Sequence, residues 1–126
     1  MINMTNKKIL IIEDEETLQK ALTQYLREEK FETISAMDGE KGIELAVSGM
    51  PDLIILDIIL PKKDGFQVLE EIKKNEKTKN IPVVLLTNLE SMDDIQKAFD
   101  KGATTYLVKS EYKLEDIVKK INEILN

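Results

Sequence analysis

Cysteine, histidine and tryptophan are absent from the 126-residue sequence. Without cysteine the chain can form no disulfide, no thiolate metal site and no cysteine nucleophile. Without histidine it has no imidazole general base, lacks the commonest zinc ligand and cannot carry phosphohistidine. Any metal site in this chain must therefore be built from oxygen ligands.

Long apolar runs and an excess of basic residues are missing as well. No apolar run approaches the ~18 residues that a membrane span needs, and the four aliphatics near the start are too few for a signal peptide. The formal net charge of −6 argues against nonspecific nucleic-acid binding, which needs clustered Lys and Arg. We therefore expect a cytoplasmic protein with no membrane insertion and no direct nucleic-acid contact.

The densest group of basic residues is interrupted by Glu76 and follows a helical pattern; its members are Lys73, Lys74, Lys77 and Lys79. One interpretation is a solvated helix end, where cations interact favourably with the C-terminal end of the helix dipole. The other is a docking patch for an acidic partner. The sequence leaves both open.

The length and the composition are those of one globular domain. Apolar residues make up 42% of the chain and charged residues 33%, and a chain of this length buries roughly two-thirds of its unfolded surface. No linker, repeat or shift of composition marks a second domain. We predict a single domain over residues 1–126, with residues 1–6 as an N-terminal tail.

Two kinds of apolar pattern alternate along the chain. Short aliphatic or alternating runs, typical of strands, cover residues 9–12, 31–36, 53–56, 83–86 and 104–108. Between and after them, apolar residues recur at the spacing of one helix face. These helical stripes are Leu18, Ala21, Leu22, Tyr25 and Leu26; Ile43, Ala46 and Val47, with Gly49 as a stop signal; Val68, Leu69 and Ile72; Met92, Ile95 and Phe99; and Leu114, Ile117, Val118, Ile121 and Leu125.

This alternation predicts an α/β fold with five strands and five helices. Strands separated by helices pair in parallel through right-handed crossovers, which puts helices on both faces of the sheet. The first, third and fourth strands are uniformly aliphatic, as expected for central strands, whereas the second and fifth alternate as edge strands do. We therefore predict a doubly wound (βα)5 sheet with the flavodoxin-like strand order 2-1-3-4-5.

Polar side chains follow the ends of four predicted strands. They are Glu13 and Asp14 after the first strand, Asp57 after the third, Thr87 after the fourth and Lys109 after the fifth. Because ligand sites in such sheets form at the carboxyl ends of the strands, we expect these residues to meet. Three carboxylates together need a cation, and oxygen ligands favour Mg²⁺. Asp57 is then the candidate nucleophile for phosphoryl transfer, which could form an acyl phosphate.

Each of these residues also has a simpler interpretation. The acids Glu13, Asp14 and Glu15 can serve only to cap the first helix, where carboxylates favour the dipole. Thr87 can be a helix cap or a turn residue, and Lys109 an ordinary loop lysine. Asp57 is harder to explain in this way, because a carboxylate among aliphatic residues costs free energy unless it is paired.

The motifs that carry these residues resemble the response-regulator receiver domain of two-component signalling, over nearly the whole chain. "ILIIEDEE" resembles its first-strand acidic pair, "LIILDIILPKKDG" its phosphoacceptor strand and loop, "VVLLTN" its fourth-strand hydroxyl, and "YLVKS" its fifth-strand lysine. The resemblance implies a (βα)5 fold and a chain that promotes its own Mg²⁺-dependent phosphorylation without turning over a substrate. It implies these roles: Asp57 as phosphoacceptor; Asp14, Asp57 and the Ile59 carbonyl as Mg²⁺ ligands, with Glu13 acting through water; and Thr87 and Lys109 as phosphoryl-binding groups.

The resemblance also implies partners and a switch. The phosphoryl group would come from a sensor histidine kinase or a phosphotransfer protein. Thr87 would move toward it and Tyr106 would turn inward, although Tyr106 can also be an edge-strand tyrosine placed for packing. A downstream protein would bind the face formed by the fourth helix, fifth strand and fifth helix, which comprises residues 92–101, Tyr106 and residues 112–123.

Three departures from the family pattern matter, one of which is Asn88 after Thr87, where family members usually carry a smaller residue. Ser110 follows Lys109 where family members usually have proline; a non-proline cis bond costs ~2.5–4 kcal/mol, so we predict a trans bond, and the departure leaves the direction of the Lys109 side chain open. Ile59 and Leu89 match the positions that flank the phosphoryl group in the family. Because neither can orient an attacking water, we predict slow dephosphorylation.

The sequence is also compatible with two other functions. One is a pseudo-receiver that serves as a binding scaffold, its loop at Lys109 and Ser110 being too altered for phosphorylation. The other is a small α/β enzyme, either an aspartyl phosphatase or a flavodoxin-like carrier. The phosphatase would need a second acid where Ile59 stands, and the acidic "EDEE" segment would repel the phosphate of a flavin nucleotide.

Overall fold

The computed structural model describes residues 6–126, so the predicted tail at residues 1–6 lies outside this part of the chain except for Asn6. The strands are β1 Lys8–Ile12, β2 Glu32–Ala36, β3 Leu53–Leu56, β4 Val83–Thr87 and β5 Thr105–Val108. The helices are α1 Glu16–Glu28, α2 Gly39–Gly49, α3 Gly65–Lys74, α4 Met92–Asp100 and α5 Leu114–Leu125. All strand pairs are parallel and their order is β2-β1-β3-β4-β5, which confirms the predicted fold.

The apolar core lies on both faces of the sheet. Successive residues of a strand point to opposite faces, so Leu10 and Ile12 of β1 pack in the cluster that includes buried residues of α2, α3 and α4. Ile9 and Ile11 pack in a second cluster with α1 and α5. The aliphatic runs of β1, β3 and β4 are buried because helices cover both of their sides.

The apolar stripe of α4 is the exception, because most of it faces solvent. The helix forms where the spacing predicts it, but Met92 is 77% exposed and Phe99 46% exposed. The side chain that α4 buries completely is that of Ala98. Adjacent residues of a helix lie about 100° apart, so a helix that rests on Ala98 turns Phe99 away from the core.

Two lysines of the cluster at residues 73–79 lie at the C-terminal end of α3, which agrees with the interpretation as a helix end. Lys73 and Lys74 occupy its last turn. The Lys73 ammonium is not simply solvated, however, since it donates to the backbone carbonyls of Lys79 at 3.1 Å and Ile81 at 2.7 Å. Lys73 therefore holds the connection between α3 and β4 in place.

The start of α3 lies directly against the end of β3. The Gly65 N–H donates to the Ile58 carbonyl at 2.7 Å, and a Cβ at Gly65 would collide with the Asp57 carbonyl oxygen and lie 2.5 Å from Ile58 Cα. A reciprocal capping box between Asp64 and Gln67 fixes this end of the helix. Only glycine fits this close approach.

No helix in residues 6–126 is both long enough and apolar enough to span a membrane.

Candidate functional site

The parallel sheet brings the predicted site residues to one edge. Glu13 and Asp14 directly follow β1, Asp57 follows β3, Thr87 ends β4 and Lys109 follows β5. Because β3 lies between β1 and β4 in the sheet, Asp57 is at the centre of this row. The strand ends thus set the positions, and the loops direct the side chains.

The Asp57 carboxylate is buried, with 5% of the residue exposed, and both of its oxygens have partners. Oδ1 accepts hydrogen bonds from the backbone N–H groups of Ile58 at 2.7 Å and Ile59 at 3.3 Å. Oδ2 lies 2.8 Å from the Lys109 ammonium. A buried carboxylate with these partners avoids the cost of an unpaired charge, which explains why it is tolerated beside aliphatic residues.

The Lys109 side chain extends from the end of β5 and contacts three carboxylates. Its Nζ lies 2.8 Å from Asp57, 3.0 Å from Glu13 and 3.4 Å from Glu15. Burial by itself would lower the pKa of Lys109, but the hydrogen bonds with Asp57 and Glu13 outweigh it and raise the pKa above its ordinary value. Lys109 is therefore a fixed cation of the site and not an ordinary loop lysine.

The backbone after Lys109 follows the predicted trans course. No cis peptide bond occurs in residues 6–126, and residues Lys109–Glu111 form one turn of 3-10 helix. A trans bond to Ser110 is thus compatible with a lysine that reaches Asp57. The direction of Lys109, which the sequence left open, is toward the acidic residues.

Glu13 is buried and held on several sides. Its Oε2 accepts from the Glu15 N–H at 2.9 Å, and the side-chain amide of Gln19 donates to the carbonyls of Glu13 at 3.0 Å and Ala36 at 3.1 Å. Burial raises the pKa of Glu13, and the charge of Asp57 adds to this; the Glu15 N–H and Lys109 oppose it. The β1–α1 loop is thereby pinned with Glu13 facing the site.

Three carboxylates at this edge can hold a cation together. Oxygens of Glu13, Asp14 and Asp57 all lie within 4.8 Å of one another, and Asp14 is exposed while the other two are buried. Mg²⁺ takes oxygen ligands and keeps several waters, so a site with one open side suits it. The donor chemistry thus fits the predicted metal. The role of the Ile59 carbonyl as a metal ligand stays a prediction.

Thr87 and Tyr106 both contact Leu89, in the loop that follows β4. Thr87 is fully buried, and its Oγ1 accepts from the Leu89 N–H at 3.4 Å, which is a turn contact. The cap of α4 is Ser91, whose hydroxyl accepts from the Asp94 N–H. The Tyr106 hydroxyl donates to the Leu89 carbonyl at 2.6 Å.

The environment of Tyr106 changes its acidity. Burial raises the pKa of Tyr106 to about 12, and the negative charges of Asp94 and Asp57 act in the same direction. The phenol is therefore a neutral hydrogen-bond donor over the whole physiological range.

Ile59 and Leu89 differ in exposure. Ile59 is 58% exposed, whereas Leu89 is half-buried and packs against the core cluster on the α2–α3–α4 side. Neither side chain carries a polar atom. Both stand two residues beyond a site residue, as the sequence indicated.

Sequence reasoning missed two residues that shape this site. The sequence indicates Glu15 only as an acid that caps α1, but its side chain makes no capping hydrogen bond and lies against Lys109 instead. Gln19 gave no signal, because its partners are backbone carbonyls of Glu13 and Ala36. Such contacts depend on the loop conformation, which residue spacing does not encode.

The family model, the curated relatives and the solved structures that are similar to this chain all belong to the same family. The family model described as "Response regulator receiver domain" matches residues 9–122. The transcriptional regulatory protein CiaR of Streptococcus pneumoniae is 41% identical over 118 residues, which cover 94% of this chain and 51% of that protein. The chain spans about half the length of curated relatives such as CiaR and the transcriptional regulator RpaA of Synechocystis.

Solved structures agree with the sequence match. A CheY-like response regulator receiver domain protein from Methanospirillum hungatei JF-1 superimposes with a TM-score of 0.89 at 26% identity, covering 96% of this chain and 94% of that one. The Mn²⁺-bound form of response regulator Rcp1 has a TM-score of 0.77 at 35% identity, covering 94% and 91%.

Proposed function

The chain belongs to the response regulator receiver domain family of two-component signalling, and we propose that Asp57 is the residue on which it is phosphorylated. The observation that carries this proposal is the buried contact of 2.8 Å between Asp57 Oδ2 and the Lys109 ammonium. A nucleophilic carboxylate beside a fixed cation, at the carboxyl edge of the sheet, suits phosphoryl transfer.

The proposed reaction needs positioning and charge stabilisation more than proton transfer. An oxygen of Asp57 bonds to the phosphorus of a kinase phosphohistidine while the bond from phosphorus to the imidazole nitrogen breaks. The imidazole keeps the electron pair and takes a proton from solvent. Lys109 holds a phosphoryl oxygen, and the hydroxyl of Thr87 donates to another after a small movement of its loop.

We further propose that the metal is Mg²⁺, held by Asp14 and Asp57 with the Ile59 carbonyl, and by Glu13 through water. The ion would offset the repulsion of the carboxylates and draw the phosphoryl oxygens of the donor into the site. Support comes from the carboxylate cluster within 4.8 Å and from a similar structure described as Mn²⁺-bound.

The proposed output is protein–protein interaction on the face of α4, β5 and α5. The exposed side chains of Met92 and Phe99 support this, since apolar groups on a surface often mark partner sites. Phosphorylation would bring Thr87 toward Asp57 and release the loop at Leu89, whose carbonyl Tyr106 now holds at 2.6 Å. The donor is proposed to be a sensor histidine kinase or a phosphotransfer protein.

Two aspartates that flank the same strand allow a matched test. Incubation with Mg²⁺ and a small phosphodonor should add one phosphoryl group, measured by intact mass. Asp57→Asn should abolish the adduct. Asp52→Asn should keep it, because Asp52 pairs with the Lys8 N–H at 2.8 Å at the other end of β3. No adduct under any condition would favour the pseudo-receiver, and turnover of many donor molecules would favour an enzyme.

A further inference from the structure

Glu15 occupies a distinctive place at the opening of the site. Its side chain is 58% exposed, whereas those of Glu13 and Asp57 are almost completely buried. It precedes α1 without capping it. The side chain turns instead toward Lys109, at 3.4 Å, a residue 94 positions away in the sequence.

Glu15 adds negative charge to the site, but it is not one of the three carboxylates that could hold a metal ion together. The carboxylates that lie within 4.8 Å of one another are those of Glu13, Asp14 and Asp57. With Glu15 the site has four carboxylates, of which those of Glu13, Glu15 and Asp57 contact the Lys109 ammonium. An anionic molecule entering the site meets the charge of Glu15 at its outer rim, where Coulomb repulsion acts over several ångströms and is weakened by salt.

We propose that Glu15 is a specificity-determining residue of the phosphorylation site, held at its opening by Lys109, which disfavours small anionic phosphodonors. The proposal rests on the proposed function of Asp57. A kinase phosphohistidine arrives with the binding energy of a protein interface and is less affected by one charge. A free donor such as acetyl phosphate has no such compensation.

The transfer from the small donor is balanced without a further reactant. An oxygen of Asp57 bonds to phosphorus while the bond from phosphorus to the acetyl oxygen breaks, and acetate leaves with the electron pair. Glu15 touches none of these atoms. Its effect should therefore fall on the donor concentration needed for half-maximal rate more than on the maximal rate.

The neighbouring residue offers a control with the same change of charge. Glu16 lies in the first turn of α1, is highly exposed and faces Lys20 at 3.9 Å, away from Lys109. Glu16→Gln changes the net charge as Glu15→Gln does. Any effect of total charge or of the helix dipole should appear in both variants.

The experiment compares wild type, Glu15→Gln, Glu15→Asp and Glu16→Gln in the full chain with saturating Mg²⁺. For acetyl phosphate, a dianion near neutral pH, Glu15→Gln should lower the half-saturating concentration about threefold. The change should be smaller for phosphoramidate, a monoanion, and should shrink when potassium chloride is added. Glu15→Asp, which keeps the charge, and Glu16→Gln should resemble wild type.

Three outcomes would overturn the proposal. Equal donor dependence in Glu15→Gln and wild type would contradict it while leaving phosphorylation of Asp57 intact. An effect independent of salt and of donor charge would indicate displacement of Lys109 and not repulsion. Absence of the adduct in all four proteins would contradict the proposed function as well.

Discussion

At the scale of single residues, the site is a set of buried charges that satisfy one another. Asp57 accepts from two backbone N–H groups and from Lys109, and Lys109 also contacts Glu13. Removing Lys109 would leave the buried carboxylates of Asp57 and Glu13 without their cation, which costs several kcal/mol. In the proposed function, the same contacts that make the carboxylate of Asp57 tolerable would also stabilise a phosphoryl group on it.

The side chains of Ile59 and Leu89 lead to a prediction about the lifetime of the acyl phosphate. Ile59→Asn combined with Leu89→Glu should speed its hydrolysis on the order of tenfold, because polar groups at these positions can orient a water toward phosphorus. The decay is followed by intact mass after the donor is removed.

A conservative pair, Ile59→Leu with Leu89→Ile, serves as the control for repacking and should decay like wild type. Leu89 contacts the core, so circular dichroism must show that both double variants are folded. Unchanged decay in the polar variant would contradict the prediction.

Tyr106 gives a prediction about pH. Its pKa is raised to about 12 in the folded chain, above the ordinary value of about 10. A raised pKa means that the folded state binds the proton more tightly, so the stabilisation is complete below pH ~10 and is lost as pH rises through about 12. The absorbance difference between wild type and Tyr106→Phe during titration isolates this tyrosinate.

The midpoint of that difference titration should lie near 12, with circular dichroism showing that the chain is still folded. The difference in free energy of unfolding between wild type and Tyr106→Phe should become smaller as pH rises from ~10 to about 12. A midpoint at the ordinary value for tyrosine would show that burial does not protect the phenol.

At the scale of secondary structure elements, the junction between β3 and α3 positions Asp57. Gly65 must approach Asp57 and Ile58 without a side chain. Gly65→Ala should lower the free energy of unfolding by about 1–3 kcal/mol through overpacking and should also slow phosphorylation, because the added methyl group displaces Asp57. Denaturant unfolding and adduct formation measure the two effects.

The adjacent residue separates stability from position. Asp64→Ala removes the capping box of α3 and should cost about 1 kcal/mol, but it adds no atom near Asp57. It should therefore be phosphorylated at nearly the rate of wild type. If Gly65→Ala is phosphorylated as fast as Asp64→Ala, the close approach does not control the site.

At the scale of the whole molecule, we predict that the carboxylates at the sheet edge make stability depend on a cation. With a formal net charge of −6 and three carboxylates within 4.8 Å, Mg²⁺ that binds only the folded chain should stabilise it. At about 100 times the dissociation constant the gain is about 2.7 kcal/mol. Thermal unfolding at increasing Mg²⁺ concentration measures it.

Asp14 provides the variant for this test, because it is the exposed member of the cluster. Asp14→Asn should reduce the Mg²⁺-dependent gain, while Asp52→Asn at the opposite end of β3 should retain it. An equal gain in both variants would place the stabilising ion elsewhere on the surface.

The sequence by itself determined the fold class, the strand order and the positions of the site residues. Aliphatic runs alternating with helical stripes require a parallel sheet, and a parallel sheet brings every strand end that matters to one edge. Asp57, Glu13, Asp14 and Lys109 could be chosen on that basis, since each directly follows a strand. This information is local, because hydrophobic periodicity is read over a few residues at a time.

Only the tertiary structure decided how those residues face one another. The contacts of Lys109 with Glu13 and Glu15 join residues 96 and 94 positions apart, and the conformation of two loops determines them. The rotation of α4 that exposes Phe99 depends on how closely Ala98 packs on the core. Such features arise from the balance of packing and charge between distant segments, and no local pattern of residues encodes that balance.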